Sequence, residues 1–246
     1  MKKMLVLLLA FFVVVCDAAA QTRGLLSLSL GPAIPVGVFG SKDGTTASSG
    51  LADVGALADL SYQRAFGASR FGWMATLRGR FNGVSKSASI APLAAEFPGY
   101  GWSINTGRWT AASALIGGYY QLPLTAKLCV SANLQAGVAE AWSPKQSILG
   151  VRDSVGYGAV DFVQGNLQSA HVTAFTALAG LGLCYKLCGR WSIQGRVDYT
   201  YLKPEFTVTA TVVNAQHLII PNILSLTNAE TVYYNALTQR YKQAMP

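Results

Sequence analysis

The chain has 246 residues, 51% hydrophobic and only 12% charged, about half the charged share of an ordinary soluble domain. Past the N-terminus no run of roughly 18 apolar residues exists that would cross a bilayer as a helix, so the apolar residues must be spread along the chain, as in the alternating strands of a closed barrel. The formal net charge of +8 is carried by Lys and Arg scattered singly or in pairs rather than gathered on one helix, which argues against a nucleic-acid partner.

In chain order, Lys2 and Lys3 precede an apolar stretch at 4–15, and Ala18 and Ala20 occupy the small-residue positions before a cleavage site. This pattern predicts a cleaved signal peptide over 1–20 and export from the cytoplasm. Cys16 leaves a lipoprotein alternative, weakened by Val15 where a small residue is preferred.

Period-two alternation then marks seven segments. They are 26–31, 54–66, 71–82, 107–121, 128–142, 171–185 and 191–201, with an eighth expected after 216. The clearest is 191–201, where Trp191, Ile193, Val197, Tyr199 and Tyr201 share one face and Ser192, Gln194, Arg196, Asp198 and Thr200 the other. Eleven residues is the length of a bilayer-crossing strand, whereas soluble strands average about six. The links alternate strictly. Those at 39–53, 85–106 and 143–170 are long and rich in Ser, Gly, Asp and Lys, and those at 67–70, 122–126 and 186–189 are short. Short periplasmic turns and long outer loops are the habit of up-and-down outer-membrane barrels.

The expected fold is therefore all-β: a single antiparallel up-and-down transmembrane β-barrel of about eight strands over 21–226. The tail at 227–246 departs from this pattern. Thr227 and Glu230 have capping-box spacing, and Tyr233, Leu237 and Tyr241 recur at i, i+4. A short C-terminal helix, a frayed end and a strand in poor register all remain open there, with 218–226 the candidate closing strand.

Asp59, Arg78, Arg80, Asn133, Gln135, Arg196 and Asp198 fall on the polar faces and are expected to line the lumen. Buried charges need partners, and an eight-stranded interior is only wide enough to be filled by side chains. A packed internal network is thus favoured over a lining that passes a small polar solute. Three cysteines remain beyond the signal segment, an odd number for an oxidising compartment. Cys129 and Cys184 reach the same rim on the lumen side, which is compatible with a bridge; Cys184–Cys188 across the turn and three unpaired thiols are the rivals.

Several short motifs resemble the small outer-membrane β-barrel domains of Gram-negative bacteria. They are Gly31-Pro32-Ala33-Ile34-Pro35-Val36-Gly37, Phe71-Gly72, Leu77-Arg78-Gly79, Gly117-Gly118-Tyr119-Tyr120 with Leu122-Pro123-Leu124, Trp142-Ser143-Pro144, and Tyr199-Thr200-Tyr201-Leu202-Lys203-Pro204-Glu205-Phe206. The resemblance implies a barrel in the outer membrane and brings no catalytic residues with it. The sequence contains no HExxH, zinc-spaced Cys pair or GxSxG, so no catalytic, cofactor-binding or metal residue is assigned and no cofactor is expected. The expected role is structural or surface-interacting through the outer loops, with 143–170 the foremost contact surface. A narrow solute channel is one alternative. A lipid-modifying enzyme using His171 or His217, with Ser169 nearby, is another. Expected partners are outer-membrane lipid, the barrel-assembly machinery during biogenesis and an extracellular ligand at the outer loops; the chain is expected to be monomeric.

Overall fold

The computed structural model describes residues 24–44, 49–154, 159–188, 191–219 and 235–244. The expected signal peptide lies outside them. Twelve strands and two helices are described: β1 (Gly24–Ala33), α1 (Gly37–Gly40), β2 (Gly55–Ala65), β3 (Phe71–Asn82), α2 (Lys86–Glu96), β4 (Gly101–Thr106), β5 (Trp109–Pro123), β6 (Leu128–Trp142), β7 (Gln146–Ser154), β8 (Ala159–Leu167), β9 (His171–Lys186), β10 (Ser192–Leu202), β11 (Glu205–Ile219) and β12 (Asn235–Ala244). No described helix is long and apolar enough to cross a membrane.

Seven strands form one sheet in the order β1-β2-β3-β5-β6-β9-β10, every neighbour antiparallel. These are the seven segments marked by alternation. The sheet curls into a half-barrel. Its pleat sends Leu26, Leu28 and Leu30 of β1 to the convex face, together with Ile116, Leu134, Phe175, Leu181 and Val197 from later strands. Exposure there reaches 75% for Leu28 and 80% for Val197. The opposite face of the sheet carries Asp59, Ser61, Gln63, Thr76, Arg78, Ser131 and Gln135, all buried. A water-soluble sheet hides its apolar face; this one hides its polar face.

The short links are tight. In 66–70 the Phe66 amide donates to the Phe71 carbonyl at 2.9 Å, and Gly67 takes a left-handed φ of 59°, which glycine adopts without steric cost. In 124–127 the Thr125 hydroxyl accepts from the amides of Lys127 and Leu128.

The long links are not plain loops. Their composition conceals α2, β4, β7 and β8, and these strands join β11 and β12 in a second sheet ordered β12-β11-β8-β7-β4. This sheet extends the wall of the first. Trp142 faces His171 on β6 and β9, and Gln146 faces Leu167 on β7 and β8, so the register passes through unchanged. Likewise Thr110 faces Trp142 on β5 and β6, and Thr106 faces Gln146 on β4 and β7. The β9–β10 ladder runs into β8–β11 with a one-residue slip: Thr176 faces Leu202, and Leu167 faces Ala210.

Of the three readings left open for the C-terminal tail, the strand is the one described and the helix is not. Of the segment read as a tail with helical spacing, Asn235–Ala244 is strand β12, paired with β11 from Asn214↔Asn235 to Glu205↔Ala244. The i, i+4 repeat of Leu237 and Tyr241 is too short to hold a helix against a free edge of the Thr- and Val-rich β11, whose residue types favour extended backbone. Thr227, Glu230 and Tyr233 lie outside the described residues. The candidate closing strand at 218–226 is corrected where it is described, since Leu218 and Ile219 belong to β11 and pair with β8; residues 220–226 lie outside.

At the short-turn end, Cys129 and Cys184 face each other on β6 and β9 with Cα atoms 5.1 Å apart and are bridged. The Cys188 thiol is free and exposed. Non-reducing peptide mapping is expected to yield one linked pair, Cys129 with Cys184, and to find Cys188 fully alkylated by a maleimide before reduction. Recovery of Cys188 in a disulfide would contradict this arrangement.

Candidate functional site

Four charges meet inside the curl. Asp59 and Arg78 are direct cross-strand partners on β2 and β3, and Arg196 and Asp198 are neighbours on the same face of β10. The Arg78 Nε donates to Asp59 Oδ1 at 2.7 Å and its Nη2 to Oδ2 at 2.6 Å, a bidentate fork. The same Nη2 also reaches Asp198 Oδ2 across the interior, and Nη1 donates to the Thr200 hydroxyl at 2.8 Å. Arg196 completes the ring, with Nε donating to Asp198 Oδ2 at 2.8 Å and Nη2 donating to Asp59 Oδ2. Both carboxylates contact both guanidiniums.

The quartet is charge-balanced and almost dry: the side chains of Asp59, Arg78, Arg196 and Asp198 are 0%, 4%, 7% and 8% exposed. Removing such charges from water is costly unless each is paired and hydrogen-bonded, and charge-assisted bidentate bonds are the strong ones. Gly180 on β9 makes the space. A Cβ there would lie 2.1 Å from Asp198 Oδ1 and 2.6 Å from Asn133 Nδ2.

The other expected lining residues share the concave face without joining the ring. Gln135 donates to Asn133 Oδ1 at 3.1 Å, and Gln194 donates to the Ser131 hydroxyl at 3.0 Å. Arg80 stands apart. Its guanidinium lies 5.6 Å from the centre of the Phe39 ring, and no described carboxylate is within ion-pair distance of it.

Above the polar layer the interior turns apolar. Phe39 from α1 meets Trp109 edge-on at 5.7 Å, and Trp109 meets Phe206 at 5.8 Å. Ala111, Ala139 and Ala141 give them room, and the Trp109 Nε1 donates to the Gly50 carbonyl at 2.9 Å. A cavity of about 750 Å³ runs between the edges of the sheet, walled by 29–33 of β1 and 194–202 of β10, with Asp59, Arg78, Arg80 and Asn82 behind.

The second sheet carries a cluster that sequence reading missed. Phe97, Tyr100 and Trp102 pack with ring centres 5.7–6.3 Å apart. Arg152 of β7 lies 4.9 Å over the Tyr100 ring and donates to Asp161 of β8 at 2.8 Å. The hydrogen bond to Asp161, with Tyr100 adding to it, raises Arg152 above its ordinary pKa. The signal was the spacing of Phe97, Tyr100 and Trp102 in a stretch read as a polar loop.

The remaining residues singled out do not converge. His171 faces outward at the start of β9 and is exposed, while the Ser169 hydroxyl is bonded to the Ser143 carbonyl at 2.6 Å. The His217 side chain lies outside the described residues. Among the described residues no group of three His, Cys, Asp or Glu is placed to hold a metal ion. No known protein family, curated protein or solved structure matches the chain.

The ring predicts a non-additive response. Arg196→Met leaves Asp59 and Asp198 under-compensated, and its expected cost is about 3–5 kcal/mol in the urea unfolding of detergent-folded protein. Arg196→Met with Asp198→Leu removes one charge of each sign and leaves the Asp59–Arg78 fork intact, so the double variant is expected to be more stable than the single one. Simple additivity of the two losses would show that the four side chains do not act as one unit.

Proposed function

We propose that the chain is an integral outer-membrane protein, an eight-stranded antiparallel barrel that presents its long-link sheet as an interaction surface outside the cell. The observation that carries this reading is the reversal of faces on the curled sheet. Leu28, Leu30 and Val197, at 75%, 78% and 80% exposure, stand on the open face, while the charges are folded inward. Exposed apolar area on this scale marks contact with lipid or with a partner. In a barrel, lipid-facing and interior residues alternate in this way.

The interior favours a packed barrel over a conducting one. The quartet and its Thr200 contact bridge the middle layer from β2 and β3 to β10, and Phe39, Trp109 and Phe206 pack together in the layer above. The interaction role then falls to β4, β7 and β8, where the Phe97–Tyr100–Trp102 cluster and Arg152 offer aromatic faces and a fixed cation. Aromatic residues and Arg are the types enriched at binding hot spots.

One substitution separates a membrane protein from a water-soluble sheet. Val197→Arg, at mid-strand on the convex face, is expected to cost about 2–4 kcal/mol in lipid vesicles. An exposed site on a soluble protein changes by no more than about 0.5 kcal/mol. The parent chain is expected to fractionate with outer membranes and to migrate faster on gels when unheated. A neutral Val197→Arg variant together with a wholly soluble parent would overturn the proposal.

A further inference from the structure

One cation inside the curl is left over when the quartet has been balanced. Arg80 lies two residues along β3 from Arg78, so the pleat turns both side chains to the same interior. The side chain of Arg80 is partly buried, and its described contact is the face of the Phe39 ring. Among the described residues it makes no hydrogen bond and no ion pair. A guanidinium carries five N–H donors and does not shed its charge. Drawn out of water, such a charge is costly until an anion pairs with it.

The space for an anion is present. The cavity of about 750 Å³ reaches Arg80, and small-molecule sites span about 300–1,000 Å³. Leu57 and Gly31 share the rung of Arg80. A Cβ on Gly31 would meet nothing within 4 Å, so the cavity is open on the β1 side of that rung. Its lining changes from back to edge. Arg80 and the quartet stand behind, while Ile34 and Val36 beyond β1 and Val197 and Tyr199 of β10 flank the edges and are exposed.

These features select the ligand. The quartet sets two carboxylates against two guanidiniums, so the surplus is a single positive charge. A carboxylate supplies one negative charge and two oxygens that match the guanidinium fork. A phosphate monoester brings about 1.5–2 negative charges and would turn its excess toward Asp59 and Asp198. The apolar edges suit an alkyl chain, which is stabilised in proportion to the apolar area it covers. We propose that the cavity between β1 and β10 is a binding site for one long-chain fatty acid, its carboxylate on Arg80 and its chain along the apolar edges. The site is built from β1, β3, β10 and α1, and it goes beyond the barrel reading without depending on it.

The test photolabels the full chain, folded in an uncharged detergent, with palmitate carrying a diazirine near the end of its chain. Mass spectrometry is expected to place the label within 29–38 and 194–202. Unlabelled palmitate should displace it, and hexadecanol, which has the chain without the charge, should do so about tenfold less well or worse. Arg80→Met should lower labelling by a similar factor. Because Arg80 bonds to nothing described, this variant is expected to keep the Cys129–Cys184 bridge and the parent's circular dichroism. Gly31→Phe, which fills the open side of the rung, is the second variant and should also block labelling. Palmitate should raise the urea midpoint of the parent and leave that of Arg80→Met unmoved. Four outcomes overturn the proposal: equal labelling of parent and Arg80→Met, equal displacement by hexadecanol and palmitate, label confined to convex-face residues such as Leu134 and Phe175, or better displacement by hexadecyl phosphate than by palmitate. A parent chain found soluble in the cell would sink the membrane reading and leave this result standing.

Discussion

Four charges drawn together inside one curled sheet are the contact on which the rest of the structure depends. Asp59 and Arg78 belong to one flank of the sheet, Arg196 and Asp198 to its far edge, and they meet only if the sheet bends. The curl and the charge balance are one requirement: the flat sheet would leave each pair exposed to its own side. Burial of this ring in turn requires a bare backbone at Gly180. The convex face is then necessarily the apolar one, because the pleat assigns alternate residues to opposite sides.

Much of this was legible in the sequence because it follows from a period of two. Once Arg78 and Asp59 are placed on polar faces, the antiparallel ladder leaves little freedom in what each strand shows to either side, and the strands at 71–82 and 128–142 begin and end where alternation does. The Cys129–Cys184 contact was legible for the same reason, since both residues lie at one rim and on one face. Which carboxylate meets which guanidinium across the interior was not. That depends on curvature, which alternation does not encode.

The long links were read by composition, and composition failed there. Residues 146–154 and 159–167 contain Ser, Gly, Asp and Gln in loop-like proportion, yet they are strands because β6 and β9 arrive already paired and in register. A neighbour with its hydrogen-bonding edge in place outweighs weak local preference. The same effect overrode the helical spacing of Leu237 and Tyr241. The Phe97–Tyr100–Trp102 cluster escaped notice because its members are separated in sequence by a helix end and a turn at Gly99, and only the fold stacks them.

The junction between the two tiers has a mechanical meaning. Pro144 has no amide to give to the ladder, and at this level the Ser143 amide and hydroxyl reach the Ala170 carbonyl, the Ser143 hydroxyl accepts from the Ala170 amide, and the Ser169 hydroxyl closes on the Ser143 carbonyl. The two tiers are thus stitched at this level by one backbone bond and three bonds made by the hydroxyls of two serines. A load applied to the tip of β7 and β8 passes down two covalent strands and is shared sideways there by Ser143 and Ser169. The foot of the upper tier is therefore a riveted seam, in which hydroxyls take over where proline interrupts the ladder.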